Sequence, residues 1–279
     1  EVGTAKEAIA AHRQAVGFFE ILVSKHAEVP EHRQQLALAH NNLATALARA
    51  GTTGEARTEY VAAIDLQKQL IARDVATPPA DRGQYLLELA VTHTNLGLLY
   101  RDTNDTEAAQ RELGEAVRIQ ESLLGTSSQN DDFARNLAGA YNNLGSLYLD
   151  AEPRRAKSYF ASALDLRERM PGKSKDDRQF QKELAVSYNN LAAVSARLGE
   201  FETAVEAYAE AIELQEQLVR AAPEQKDWQR ELAKTITNLG LAQGRLNRTK
   251  EAEASFRRAL RVLHVVARRW PNDPETASG

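Results

Sequence analysis

The chain has 279 residues, of which 27% are charged and 43% hydrophobic, and its formal net charge is −4. This balance excludes an intrinsically disordered chain and argues against nucleic acid as the main partner, because nucleic-acid-binding domains are usually basic. The absence of cysteine excludes disulfides and thiolate metal sites, and no apolar run approaches the ~18 residues of a membrane-spanning helix.

Every predicted element is a helix, because strong helix formers dominate the sequence and the β-branched runs that strands require are absent. The first helix is predicted at 3–27, and five pairs of helices follow it. The first helices of these pairs are predicted at 31–50, 81–102, 131–150, 177–198 and 226–246. The second helices are predicted at 54–73, 105–124, 153–169, 201–221 and 249–269. Glycine, proline and asparagine between them favour turns.

One asparagine recurs in every first helix, at spacings of 53, 48, 47 and 48 residues. These residues, named the Asn column below, are Asn42, Asn95, Asn143, Asn190 and Asn238. Mostly apolar residues ten, six and two positions before the asparagine and one and five after it share one helical face. The column lies roughly 120° around the helix from the centre of this apolar stripe, so we predict that it faces away from the main packing surface. We ascribe the long first spacing to an insertion around 75–80.

Two further positions in the first helices predict how these helices pack. Ten residues before the asparagine stand His32, Tyr85, Phe133, Phe180 and Trp228. Because these rings lie in the apolar stripe, we predict core packing for them rather than base stacking. Two residues after the asparagine stand Ala44, Gly97, Gly145, Ala192 and Gly240. Small residues at this position predict that a second helix approaches closely.

The second helices repeat a triplet of alanine, a large residue and alanine with helical spacing. The triplets are Ala56/Tyr60/Ala63, Ala109/Leu113/Ala116, Ala156/Phe160/Ala163, Ala204/Tyr208/Ala211 and Ala252/Phe256/Ala259. The helix predicted at 3–27 places Ala8, His12 and Ala15 in the same frame. It therefore corresponds to the second half of a unit.

These motifs resemble the tetratricopeptide repeat. The resemblance is carried by Leu96-Gly97-x-x-Tyr100 followed by Ala109, Leu113 and Ala116, and by Leu144-Gly145-x-x-Tyr148 in the same frame. The period of about 48 residues exceeds the family's 34-residue unit. It resembles the arrays attached to some bacterial serine/threonine protein kinases, and the Asn-Asn-Leu phrasing resembles kinesin-light-chain-type repeats. The resemblance implies an all-α solenoid of antiparallel helix pairs, wound into a right-handed superhelix whose first helices line a concave, peptide-holding face.

The repeat predicts a single helical-repeat domain over 1–279. Its expected parts are a half repeat at 1–29, full repeats at 30–80, 81–128, 129–174, 175–223 and 224–270, and a tail at 271–279. One helix pair cannot bury its apolar surface alone, so neighbouring pairs must cover it.

The Asn column has two interpretations. In the resembled family, an asparagine at this position hydrogen-bonds the backbone of an extended peptide; alternatively, each asparagine bridges neighbouring helices. The basic residues predicted on the same face are Arg135, Lys182, Arg230, Lys234, Arg197 and Arg245. They lie within about 80° of the column, which predicts a groove for an acidic segment or a terminal carboxylate. The alternative is an ordinary solvated, charged face.

No catalytic or cofactor-binding motif occurs in the sequence: there is no His-Glu-x-x-His, no other metal spacing and no glycine-rich phosphate loop. We therefore expect no enzymatic activity, no cofactor and no metal. The expected partner is a protein or peptide, not nucleic acid or the membrane interior, and the expected setting is a larger, bacterial-type signalling or regulatory protein. The alternative is a structural element that self-associates through its terminal repeats. We expect a cytoplasmic location, or a soluble domain of a membrane-anchored protein.

Overall fold

The computed structural model describes residues 2–73, 79–126, 130–170 and 177–271. Within these ranges the chain forms eleven helices and no strand. The helices are α1 (Val2–Lys25), α2 (Pro30–Arg49), α3 (Thr53–Arg73), α4 (Pro79–Asp102), α5 (Thr106–Thr126), α6 (Asp131–Tyr148), α7 (Pro153–Glu168), α8 (Arg178–Arg197), α9 (Phe201–Ala221), α10 (Lys226–Arg245) and α11 (Thr249–Arg269). Each bound lies within two residues of its prediction, so the all-helical fold is confirmed. Residues 74–78, which hold most of the predicted insertion, lie outside the described ranges.

The chain divides into two compact units, Glu1–Leu147 and Tyr148–Gly279, and each unit is considered by itself. The first unit holds α1 to α5 and nearly all of α6, and the second holds α7 to α11. The single domain over 1–279, its repeat boundaries and the superhelical winding stay predictions.

Each unit is built from helices that pack on their neighbours in the chain. A first helix packs on the second helix of its own pair, as α2 does on α3, α4 on α5, α8 on α9 and α10 on α11. A second helix also packs on the next first helix, as α3 does on α4, α7 on α8 and α9 on α10. A second helix inside the array therefore lies between two first helices and needs two apolar faces.

The predicted apolar stripe forms the core of both units. In the first unit Leu36 and Leu43 of α2 belong to one buried cluster with Tyr60 of α3. In the second unit Ile236 of α10 belongs to another with Tyr208 of α9. Burying such a side chain contributes about 1.5–3 kcal/mol to the free energy of folding. Burial of the stripe is therefore the main interaction that holds successive helices together.

Four of the turns within helix pairs reverse the chain at a residue with positive φ. These residues are Gly51, Asn104, Gly199 and Asn247, with φ between 59° and 80°. The next amide donates to a carbonyl five residues earlier, as Thr52 N does to Leu47 O at 3.0 Å. This bond satisfies an otherwise unpaired carbonyl at the helix end, so glycine and asparagine mark the predicted turns.

The small side chains of the first helices lie where a second helix approaches. A Cβ atom added to Gly97 would lie 2.7 Å from Leu113 Cγ, and one added to Gly240 would lie 2.8 Å from Phe256 Cε1. Ala44 and Ala192 are fully buried. The predicted close approach is therefore confirmed at Gly97 and Gly240.

Some rings of the apolar stripe also bind carboxylates of second helices through their polar atoms. The contacts are His40 Nδ1–Glu59 at 2.6 Å, His93 Nδ1–Glu112 at 2.7 Å, Tyr141 OH–Glu121 at 2.7 Å and Tyr188 OH–Glu168 at 2.6 Å. Burial and the bond to Glu168 raise the pKa of Tyr188 well above its usual value. These contacts join first helices to second helices at the edge of the core.

Candidate functional site

A pocket of about 610 Å³ lies between α8 and α10 in the second unit. Its walls come from these two first helices, and its lining also includes Gln215 and Leu218 of α9 and Gln225, directly before α10. The cleft arises because α9 packs against both first helices, which make few direct contacts with each other. It opens on the face that carries the Asn column.

The structure brings two members of the Asn column to this pocket, Asn190 and Asn238. Both are half-buried, so part of each amide faces the cleft. The other members, Asn42, Asn95 and Asn143, lie in the first unit. Asn95 donates to Oδ1 of Asn41 at 3.2 Å, so one member takes the structural role that was the alternative interpretation.

The asparagine directly before the Asn column bridges successive first helices. Asn189 Nδ2 donates to Thr235 Oγ1 at 2.9 Å and thereby joins α8 to α10, as Asn41 joins α2 to α4 by accepting from Asn95. Both asparagines of the Asn-Asn-Leu motif in α8 therefore line the pocket, and Asn189 also joins the two helices. The bridging role of the first asparagine was not predicted, although the doubled motif is visible in the sequence.

The apolar part of the pocket is formed by Val186, Trp228, Ala185, Ala193 and Leu218. Val186 is 44% exposed, and Trp228 is only half-buried. Core packing of this ring column stays a prediction, and Trp228, like His32 and Phe133, leaves part of its ring exposed, since an indole is rarely covered completely by its neighbours. Its equivalents Tyr85 and Phe180 are buried.

Two of the predicted basic residues, Lys182 and Lys234, are exposed and line the pocket. Asp227 and Glu231 line it as well, so the charges of the lining balance. Arg230 is half-buried in α10 and is not part of the lining. The attraction of an acidic group would therefore depend on the local position of the two lysines.

The remaining predicted basic residues lie elsewhere. Arg197 forms an ion pair with Asp150, with Nη1 and Oδ1 3.0 Å apart. Asp150 stands at the same position in the preceding repeat, seven residues after Asn143 as Arg197 is after Asn190, so the two charges neutralise each other. Arg245 is exposed at the end of α10, and Arg135 is half-buried in the first unit.

The second helices also contain a column of buried polar residues that was not predicted from the sequence. Gln67, Gln120, Arg167 and Gln215 stand four residues after the second alanine of each triplet and are 1–8% exposed. Gln215 lines the pocket, so one member of this column contributes to the candidate site. The regular spacing was the signal that would have revealed it.

The described part of the chain contains no group of three or more His, Asp or Glu residues that could hold a metal ion. None of its described helices is long and apolar enough to cross a membrane.

One tetratricopeptide repeat family model matches residues 89–131 and 184–219, and another matches residues 233–262. No curated protein matches the chain in sequence. Among solved structures, BtubC (BKLC) from P. vanneervenii has a TM-score of 0.65 at 20% identity, covering 94% of this chain and 91% of that protein. A putative kinesin light chain with nearly identical TPR-like repeats from Podosopora anserina has a TM-score of 0.55 at 18% identity, covering 85% and 98%.

At these identities the structural neighbours show the fold alone. The fold, however, agrees with the matched repeats and with the columns of alanine, glycine and leucine read from the sequence. The matched segments are therefore tetratricopeptide repeats, and the helices of the chain have the fold of tetratricopeptide-like arrays such as the putative kinesin light chain.

Proposed function

We propose that the pocket between α8 and α10 binds an extended segment of a partner protein. The observation that supports this is the convergence of two asparagine amides and two lysines on a half-apolar cleft of about 610 Å³. Tetratricopeptide folds are suited to protein interaction, and this pocket supplies the chemistry that a peptide requires.

The amides of Asn190 and Asn238 suit a peptide backbone, because each amide can donate and accept a hydrogen bond. The exposed surfaces of Val186 and Trp228 suit one apolar side chain of the segment. A rigid wall of two helices held together by the Asn189–Thr235 bond keeps these groups in place before the segment binds, which lowers the entropic cost of binding.

The lysines define where acidic groups of the segment bind. Lys182 and Lys234 lie on the opposite helices of the cleft, so carboxylates on either side of the buried side chain would each meet one ammonium. An exposed ion pair contributes only about 0–1 kcal/mol, so acidic groups select among segments and the amides with the apolar wall supply most of the affinity. In this proposal the chain is a non-enzymatic interaction module of a larger signalling or regulatory protein.

Selection from a random peptide library displayed on phage, with the whole chain as bait, tests this proposal. We expect the selected peptides to share one apolar residue flanked by aspartate or glutamate. Their affinity should fall at least about tenfold with Asn190→Ala/Asn238→Ala, since lost backbone bonds leave polar groups unpaired. Lys182→Glu/Lys234→Glu should weaken binding and reduce its dependence on salt.

Lys250→Glu is the matched control, because Lys250 is an exposed lysine on α11 outside the pocket lining. It should leave the affinity unchanged. Peptides that bind all three variants as tightly as the natural chain would overturn the assignment of the pocket, and the Asn column would keep only its bridging role.

Self-association is the second candidate, and exposed Phe18 and Ile21 on α1 favour it. Both α1 and α11 carry the second-helix pattern, however, whereas the contacts inside each unit pair a second helix with a first helix. Direct contact between α1 and α11 of two copies would therefore not repeat this packing. Sedimentation velocity at several concentrations distinguishes a monomer from a self-associating chain.

A further inference from the structure

The last helix, α11, exposes an apolar strip that consists of Phe256, Leu260 and Leu263. These side chains are 36%, 55% and 42% exposed, and their spacing of four and three residues places them on one face. The neighbouring face, with Ala259 and Val266, is buried where α11 packs on α10. The ring of Phe256 approaches Gly240 of α10, so within the described residues Leu260 and Leu263 form the part of the strip that no helix covers.

The same side of the preceding second helix is covered by a first helix. Tyr208 and Ile212 of α9 stand at the repeat positions of Phe256 and Leu260, and both are 3% exposed. They belong to one buried cluster with Ile236 of α10. The strip therefore has the position and residue type of a surface on which a helix packs.

The strip is more apolar than its counterparts at the point where it is exposed. At the repeat position of Leu263 the four preceding second helices carry the buried polar residues Gln67, Gln120, Arg167 and Gln215. A surface that only met water would be expected to keep a polar residue there, since exposed apolar groups are unfavourable in water. The change to leucine in the exposed repeat indicates a surface that becomes buried in a complex.

The charged residues beside the strip indicate which partner would bind it. α11 contains six lysines and arginines against two glutamates, in a chain whose net charge is −4. At about 100° per residue, Arg257, Arg261, His264 and Arg268 form a row along the edge of the strip that faces away from α10, and all four are exposed. A partner that fits must therefore be apolar in its centre and acidic along one edge.

We propose that this strip binds an amphipathic helix of a partner protein, with acidic residues along one edge of its apolar face. The helix takes the place on α11 that α10 occupies on α9, and its carboxylates meet the row of basic side chains. An anionic membrane would also match the charges. The helix fits better, because the strip is one helix wide and is bordered by α10 on one side, as the packed face of α9 is bordered by α8.

A peptide derived from the chain itself tests the proposal, namely residues 226–245 with Lys226, Arg230, Lys234 and Arg245 replaced by glutamate. This sequence keeps the apolar stripe with which α10 covers α9 and gives it acidic flanks. In fluorescence anisotropy with the whole chain, we expect saturable binding that weakens with added salt. The unaltered 226–245 peptide should bind at least about tenfold more weakly, because its lysines and arginines meet the basic row.

Leu260→Glu/Leu263→Glu should abolish binding of the acidic peptide without changing the helical circular dichroism, since both side chains are exposed. Val265→Glu is the matched control, because Val265 is 52% exposed on the opposite side of α11 and its replacement should leave the affinity unchanged. Equal binding to the double variant, or none to the natural chain, overturns the proposal. Capture of the natural chain, but not the double variant, by phosphatidylserine vesicles, or strip-dependent dimers in sedimentation, would overturn it in favour of a membrane or a second copy.

Discussion

At the scale of single residues, two glycines of one helix pair differ in whether packing requires them. Gly97 leaves room for Leu113, whose Cγ and backbone nitrogen would lie 2.7 and 3.1 Å from an added Cβ. Gly114 of α5 lies in the same helix pair, and an added Cβ there would meet nothing within 4 Å. Only the first of these glycines is required by packing.

Alanine at these two positions should therefore change stability in opposite directions. Gly97→Ala overpacks the contact, which typically costs about 1–3 kcal/mol, while Gly114→Ala should stabilise α5 by up to about 1 kcal/mol through helix propensity. Gly240→Ala should cost less than Gly97→Ala, because its obstacle is the partly exposed ring of Phe256. Urea denaturation measures all three, and a Gly97→Ala chain as stable as Gly114→Ala would contradict this account.

At the scale of elements, pairs of helices are joined by an apolar stripe and a few polar contacts. The bond from Asn189 to Thr235 joins two first helices, and the bond from Tyr188 to Glu168 joins α8 to the preceding second helix α7. Thr235 is buried and Tyr188 is half-buried. Both contacts set how the helices meet without replacing the apolar burial that holds them together.

The contact between Tyr188 and Glu168 predicts a loss of stability at alkaline pH. The pKa of Tyr188 is raised in the folded chain by burial and by Glu168, so the folded state keeps its proton above about pH 10, where an unfolded tyrosine loses it. This contribution is fully present below that pH and is lost as the pH rises through the folded-state pKa. The free energy of unfolding should therefore fall less steeply above pH 10 in Tyr188→Phe than in the natural chain.

Glu168→Gln gives the intermediate case, because it removes the charge that opposes ionisation but leaves the tyrosine. Solvent screening of the half-exposed phenol keeps these differences small, so urea unfolding should be followed at several pH values between 8 and 11. Identical pH profiles for the natural chain and Tyr188→Phe would show that this ring does not link folding to protonation.

At the scale of the whole molecule, the two units are built on one plan, in which contacts join helices that are neighbours in the chain. Stability in such an array is approximately a sum of repeat and nearest-neighbour contributions. A local defect is then expected to act mainly on the helices next to it.

Hydrogen exchange measured by mass spectrometry tests this property with Gly97→Ala. Exchange should rise in α4 and α5 and in their neighbour α3, because local opening becomes easier there. Exchange in α10 and α11 should stay as in the natural chain. A uniform rise over all helices would show instead that the chain opens as one cooperative body.

The sequence by itself determined the helices and their pairing, because a stripe with a 3.6-residue period and the glycines, prolines and asparagines at its ends act locally. The repeat of small residues also predicted that a second helix approaches Gly97 closely, and the structure identified Leu113 as the residue in contact. Only the tertiary structure decided which side chains share a surface. Which helices lie side by side determines that one cleft is lined by Asn190, Asn238, Lys182 and Trp228. It also determines that Arg197 is paired with Asp150.

The exposure of a side chain is likewise decided by the tertiary structure and not by the repeat sequence. Ile212 and Leu260 occupy one repeat position and are equally apolar, yet one is 3% and the other 55% exposed. No local pattern distinguishes them, because the difference is the first helix α10, which covers α9 and has no counterpart over α11 among the described residues. A repeat determines what each helix can pack against, and the neighbours present in the folded chain decide which of those faces remain open.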